Sequence, residues 1–102
     1  MEFEWDEGNL AKCRKHGVLI GEIETLLGGE PRVAPDPRHS ADEDRMIAVG
    51  RNSIGRPMFV AFTLRRHGTR LLIRAISARY MHAKEARRYE EGDFAQGAAS
   101  ED

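Results

Sequence analysis

Residues 57–79, PMFVAFTLRRHGTRLLIRAISAR, decide the fold. Two apolar runs flank the short polar insert RHGT at 66–69, whose glycine suits a reversal of the chain. In the first run Met58, Val60, Phe62 and Leu64 alternate with Phe59, Ala61, Thr63 and Arg65, the period of two of a β-strand. In the second, the same period puts Leu71, Ile73, Ala75, Ser77 and Arg79 on one face. Arg70, Arg74 and Ala78 take the other, with Leu72 and Ile76 between them. A third run, RMIAVGRN at 45–52, precedes these and is joined to them by SIGR, a turn containing Gly55. Connections this short require antiparallel neighbours.

Working outward, EFEW at 2–5 has a brief strand-like alternation, and Asp6 is a good N-cap for a helix over about 7–16. Glu7 complements the positive end of that helix, and Lys15 and His16 its negative end, with Gly17 as the left-handed terminator. At 100° per residue Leu10, Cys13 and Gly17 fall on one side, while Asn9, Lys12 and His16 form a stripe on the other. A second helix is predicted at about 21–28, with Ile20, Ile23, Leu26 and Leu27 as its buried stripe. Residues 30–44 hold three of the four prolines and read as an extended edge or loop. A last helix over 82–94 turns Ala83, Ala86, Tyr89 and Phe94 inward, and the polar tail 95–102 is expected to be disordered. The prediction is a single α+β domain over 1–94: an antiparallel sheet, two N-terminal helices and a C-terminal helix.

The lone Cys13 excludes an internal disulfide and every cysteine-rich zinc signature, and no run of about 18 apolar residues exists to cross a membrane. The acidic N-terminus has no apolar signal region, so a soluble protein of a reducing cytoplasm is the default expectation. The net charge of −1 conceals an asymmetry. Residues 1–44 carry a net −6 and residues 89–102 a net −5, whereas residues 45–88 carry +10, nearly all of it arginine. Arginine's planar fork suits phosphate better than the point charge of lysine. Arginines that merely solvate a sheet face are the competing explanation.

These motifs resemble the BrnT family of small toxins from bacterial type II toxin–antitoxin operons. The matching pieces are FEWDEGN with KHGV near the N-terminus, HSADEDR before the first long strand, VG and GR around the turn, FTLR, and ISAR followed by the glutamate and RY of the last helix. Family positions fall on Trp5, Asp6, Lys12, His16, Gly17, His39, Ser40, Arg45, Gly50, Thr63, Arg65, Ser77, Arg79, Glu85 and Tyr89. The resemblance implies a fold similar to RelE-type toxins and a ribonuclease activity that inhibits translation. It also implies a DNA-binding protein antitoxin that neutralises the toxin in a hetero-oligomer. Two departures stand out: Tyr80, where many relatives have proline, and Ala86, where many have arginine.

RNA can be cut without a metal when the ribose 2′-hydroxyl attacks its own phosphate. The enzyme then supplies a base, cations for the phosphorane and an acid for the leaving oxygen. No HExxH, no paired DxD and no carboxylate cluster beside histidine is present, so no metal and no cofactor is expected. His16 is the first candidate acid or base, with Lys12 on the same stripe, against a simple helix-end complement. Arg45, Arg65 and Arg79 are the candidate phosphate clamp. Arg45 and Arg65 adjoin across a hairpin while Arg79 lies farther off, and an ion pair of Arg45 with Asp42 or Asp44 is the alternative. Glu85 is a possible base or a surface partner of Arg88. Arg51, Arg70 and Arg74 are assigned to RNA backbone contact. Trp5 and Cys13 read as packing, His39 as structural or antitoxin-facing, and His67 as solvent-exposed, while His82 is left without a role. The alternative to an enzyme is a non-catalytic module that binds nucleic acid or antitoxin in transcriptional autoregulation.

Overall fold

The computed structural model describes residues 2–37 and 44–94. In chain order the elements are β1 (Glu2–Phe3), α1 (Glu7–Arg14), α2 (Ile20–Gly28), β2 (Arg32–Pro35), β3 (Met46–Arg51), β4 (Pro57–His67), β5 (Arg70–Tyr80) and α3 (Ala83–Glu90). His39, Ser40, Asp42 and the tail 95–102 lie outside the described residues. No helix among the described residues is long and apolar enough to cross a membrane.

The strands form one sheet in the order β1-β5-β4-β3-β2. The three long strands pair antiparallel as their turns demand, and the proline-bearing β2 adds antiparallel to β3 at the edge. The sheet is nevertheless mixed, which corrects the antiparallel expectation, because β1 lies parallel to β5 with Glu2 opposite Leu72 and Phe3 opposite Ile73. A strand delivered by a hairpin has its direction dictated by the turn, but a distant chain segment does not. The Glu4 amide completes this edge by donating to the Ile73 carbonyl at 2.8 Å.

The β4–β5 ladder contains one irregularity that decides what each face carries. Ala61 stands opposite Ser77, yet Phe62 stands opposite Ala75, so Ile76 is an extra residue, a β-bulge. Strict alternation would keep Ser77 and Arg79 on the face of Ile73 and Ala75. The bulge reverses the phase instead, and Ala78 joins Ala75 in the larger core. Arg79 then shares the opposite face with its ladder partner Phe59, which in turn faces Val49.

Helices α1 and α2 cover the first face, where Cys13, Val18, Ile23 and Leu26 pack on Ala48, Met58, Val60, Phe62, Ile73 and Ala75. Gly50 belongs to this contact: a Cβ there would sit 2.5 Å from Leu26 Cδ1. Helix α3 covers part of the other face, packing Ala86 and Tyr89 on Ile47, Val49, Phe59 and Ala61. Cys13 is fully buried, and burial pushes its thiol up to about 11, so it is packing material as the sequence suggested. Trp5 packs against the same core and donates from Nε1 to Glu24 at 2.9 Å.

Helices α1 and α2 differ by a residue or two from their predicted spans, and α3 is shorter than predicted, starting one residue later and ending four residues earlier, before the positive-φ Gly92. Helix α1 ends at Arg14 because Gly17, at φ +85°, donates back to the Arg14 carbonyl and leaves His16 in the following turn. Asp6 is the N-cap as predicted, forming a capping box with Asn9. Asn9 itself points inward, not outward with Lys12. It is 4% exposed, and its Nδ2 donates to the carbonyls of Glu4 and Ala75 at 2.9 Å each while its Oδ1 accepts from the Asp6 amide at 2.8 Å. One polar side chain thereby joins α1, the residue after β1, and β5.

Folding also brings together charges that are far apart in the chain. Glu2 takes both ends of the Arg70 fork at 3.0 and 2.7 Å, Arg74 reaches Glu4 and Asp6, and Arg51 meets Glu90 at 2.8 Å. His67 is exposed as the sequence suggested, but it closes β4 instead of lying in the turn, and it meets Glu4 at 2.7 Å. The +10 segment is therefore partly neutralised by the acidic N-terminus, and its sequence asymmetry does not survive intact as a surface patch.

Two outcomes follow from these contacts. Asn9→Ala removes the donor from the buried bond to the Ala75 carbonyl and from the partly buried one to Glu4, and should destabilise the domain by about 1–3 kcal/mol, read from urea unfolding. Arg70 holds the Glu2 carboxyl below its ordinary range, and Arg74, followed by the Asn9 amide, does the same for Asp6. The unfolded chain therefore binds more protons than the native one, so this stabilisation is present above the ordinary carboxylate pKa and is lost as pH falls through the lowered folded values. Melting temperature should fall on acidification from neutral pH, and less steeply for Arg74→Gln, which has already lost the largest part of the Asp6 contribution.

Candidate active site

Antiparallel pairing sets the end of β5 beside the start of β4, and the Met81 amide extends that pairing by donating to the Pro57 carbonyl at 2.9 Å. Helix α1 runs along β5 from the Asn9–Ala75 contact, which delivers His16 to the same end of the sheet. Helix α3 begins there too, after His82. The result is a cavity of about 380 Å3 lined by His16, Arg56, Arg79, Tyr80, His82 and Glu85.

Arg79 and Glu85 form its most buried part. Nη1 and Nη2 of Arg79 donate to Oε1 and Oε2 of Glu85 at 2.9 and 2.8 Å, and both side chains are nearly buried. The guanidinium also lies 4.4 Å from the centre of the Phe59 ring. A bidentate ion pair clamped over an aromatic face has very little orientational freedom. Glu85 is therefore the partner of Arg79 and not a surface mate of Arg88.

Arg56 and Tyr80 form the exposed wall. The guanidinium of Arg56 stacks 3.6 Å above the Tyr80 ring. The Tyr80 hydroxyl donates to Glu22 Oε1 at 2.5 Å, and Asn52 donates to Glu22 Oε2 at 2.7 Å. The Tyr80 bond is the largest cause holding the Glu22 carboxyl below its ordinary range, and the same bond raises the tyrosine, so the proton stays on Tyr80.

Three of the sequence candidates, His16, Arg79 and Glu85, thus meet in one cavity. The others do not. Lys12 borders a separate cavity of about 200 Å3 with Gly8, Asn9, Arg74 and Ile76. Arg45 precedes β3, where the ladder would set it opposite Thr63, and Arg65 is two residues farther along β4 on the same face. Arg65 is six residues from Phe59 along β4, which at strand rise is roughly 20 Å from the ladder position of Arg79. Arg51, Arg70 and Arg74 are engaged by Glu90, Glu2, Glu4 and Asp6.

Arg56, Tyr80 and His82 escaped the sequence reading. A usable signal was present, since a hairpin whose second strand ends at 79–80 must bring those residues alongside the turn that precedes 57. Glu22 left no such trace, because its partners Asn52 and Tyr80 meet it only through the packing of α2 on the sheet.

No curated protein matches the chain. A family model described as the ribonuclease toxin BrnT of type II toxin–antitoxin systems matches residues 5–85. That span takes in α1, α2, the three long strands and the Glu85 end of the cavity, and the chain therefore belongs to the BrnT family of ribonuclease toxins.

Proposed function

We propose that this chain cleaves RNA without a metal ion, inhibits translation by doing so, and is neutralised by the protein antitoxin that membership of a type II family implies. The observation that carries this reading is the convergence of two histidines, His16 and His82, on a cavity that also holds Arg56 and the Arg79–Glu85 pair. Histidine as a residue type changes charge near neutral pH and serves as either acid or base. One histidine takes the proton of the ribose 2′-hydroxyl, and its oxygen attacks phosphorus. The bond from phosphorus to the 5′-oxygen breaks, and the other histidine protonates that leaving oxygen. The products are a 2′,3′-cyclic phosphate and a free 5′-hydroxyl.

Arg79 faces the negative charge that builds on the phosphorane, pre-oriented by Glu85 and Phe59 so that little reorganisation accompanies the step. Glu85 acts through Arg79 as a positioning residue, since both its oxygens are already occupied by the guanidinium. The donor set supports metal independence: the cavity offers two histidines and one carboxylate committed to arginine, and no group of three metal-ligating side chains occurs among the described residues. Lys12, Arg45 and Arg65 serve RNA flanking the scissile bond. Arg51, Arg70 and Arg74 reach the RNA backbone only by exchanging a protein carboxylate for phosphate.

Cleavage of a defined oligoribonucleotide in EDTA should show a bell-shaped dependence of rate on pH. His16→Ala and His82→Ala should each lose one limb and about 100- to 10,000-fold in rate. Complete dependence on an added divalent ion, or full activity in both histidine variants, would sink the mechanism. Arg79→Ala alone strands a nearly buried carboxylate and should cost about 3–5 kcal/mol of stability. The paired change Arg79→Gln with Glu85→Gln removes both charges together, and should unfold closer to wild type while remaining about 100- to 1000-fold slower. An active paired variant would remove Arg79 from the chemistry.

A further inference from the structure

The two arginines of the cavity are held in different ways. Arg79 spends both terminal nitrogens on Glu85. Arg56 is exposed and is held through its flat face by the Tyr80 ring, an arrangement that uses none of its N–H donors. No ion pair between Arg56 and a carboxylate appears among the described residues, although Glu22 stands close enough to feel its charge.

The support beneath Arg56 is built from several directions. Asn52 Oδ1 accepts from the Ile54 and Arg56 amides at 3.1 and 2.8 Å, and the Asn52 amide donates to the Arg56 carbonyl at 3.0 Å. Gly55, at φ +85°, makes the tight turn possible, and Arg51 donates to its carbonyl at 2.8 Å. Glu22 then joins this turn to β5, accepting from Asn52 and from Tyr80, while the Leu19 amide adds a third bond at 3.2 Å. Three separated chain segments thus converge on one carboxylate, whose effect is to hold one ring and one backbone turn in register. That degree of construction is unneeded for a surface arginine that only keeps the protein soluble.

We infer that Arg56 is the cation that binds the RNA phosphate entering the cavity, and that Tyr80, tied down by Glu22 and Asn52, is the positioning residue that presents it. This rests on the ribonuclease reading and deepens it. A guanidinium stacked on a ring keeps its donor edge directed sideways in a fixed plane, which suits a bidentate grip on two phosphate oxygens. Arg79, locked in place, supplies fixed charge, and Arg56 makes the contact that forms when RNA arrives.

The test uses the full chain and two probes of one sequence: a fluorescent oligoribonucleotide for cleavage, and its fully 2′-O-methylated form, which cannot be cut, for binding. Loss of one phosphate contact should lower the slope of log affinity against log salt by roughly 0.7 for a single strand. Arg56→Ala should show that reduced slope and cut about 100- to 1000-fold more slowly. Tyr80→Leu removes no charge, yet it should reproduce the reduced slope, and the double variant should be no worse than Arg56→Ala alone. A merely structural tyrosine would leave the slope unchanged. Tyr80→Phe keeps the ring and loses only the tie to Glu22, so it should fall between wild type and Tyr80→Leu, and it serves as the readout if the leucine variant does not fold. A wild-type chain that neither binds nor cuts RNA overturns the ribonuclease reading and this one together. A wild type that does both, beside an Arg56→Ala variant with unchanged slope and rate, overturns the assignment of Arg56 alone.

Discussion

The extra residue at Ile76 is the constraint on which the arrangement of the cavity depends. Side chains on a strand alternate strictly, so one inserted residue exchanges the faces of everything beyond it. With the bulge, Ala75 and Ala78 both pack under α1 and α2, and Arg79 emerges on the face where α3 lies. Without it, Arg79 would point into an apolar layer of Met58, Val60 and Phe62, where an unpaired guanidinium is very costly. Placed on the α3 side, it finds Glu85 and the Phe59 ring instead.

Polar side chains at junctions do work here that the small apolar cores do not. Asn9 joins α1, the N-terminal edge and β5 through bonds that occupy both ends of its amide. Glu22 does the same for α2, the β3–β4 turn and the end of β5. Hydrophobic burial drives the layers together but has no direction, whereas these bonds specify angle and distance. Both junctions involve β5, and together they aim its C-terminal end at the cavity.

The charge pattern takes on a different meaning once the chain is folded. A segment of +10 flanked by two acidic segments suggests a basic surface awaiting an acidic partner. In space, Glu2, Glu4, Asp6 and Glu90 engage four members of that segment: Arg51, His67, Arg70 and Arg74. Arg56 is left as the cation of the cavity's exposed wall.

Local pattern along the chain specified the three long strands and their antiparallel order, because alternation and short turns involve only neighbouring residues. It also determined the N-cap at Asp6, the stop at Gly17, the edge character of the proline-rich segment and the inert Cys13, each from one residue's own chemistry. Membership of the toxin family was likewise legible in short motifs, and the match over residues 5–85 bears it out. The parallel addition of β1, the inward turn of Asn9, the bulge at Ile76, and the gathering of His16, Arg56, Tyr80, His82 and Glu85 around Arg79 emerged from three-dimensional packing. The physical reason is common to all four. Periodicity assigns a face to a residue only while the ladder remains regular, and it carries no information about which distant segment will supply a hydrogen-bond partner or a counter-charge.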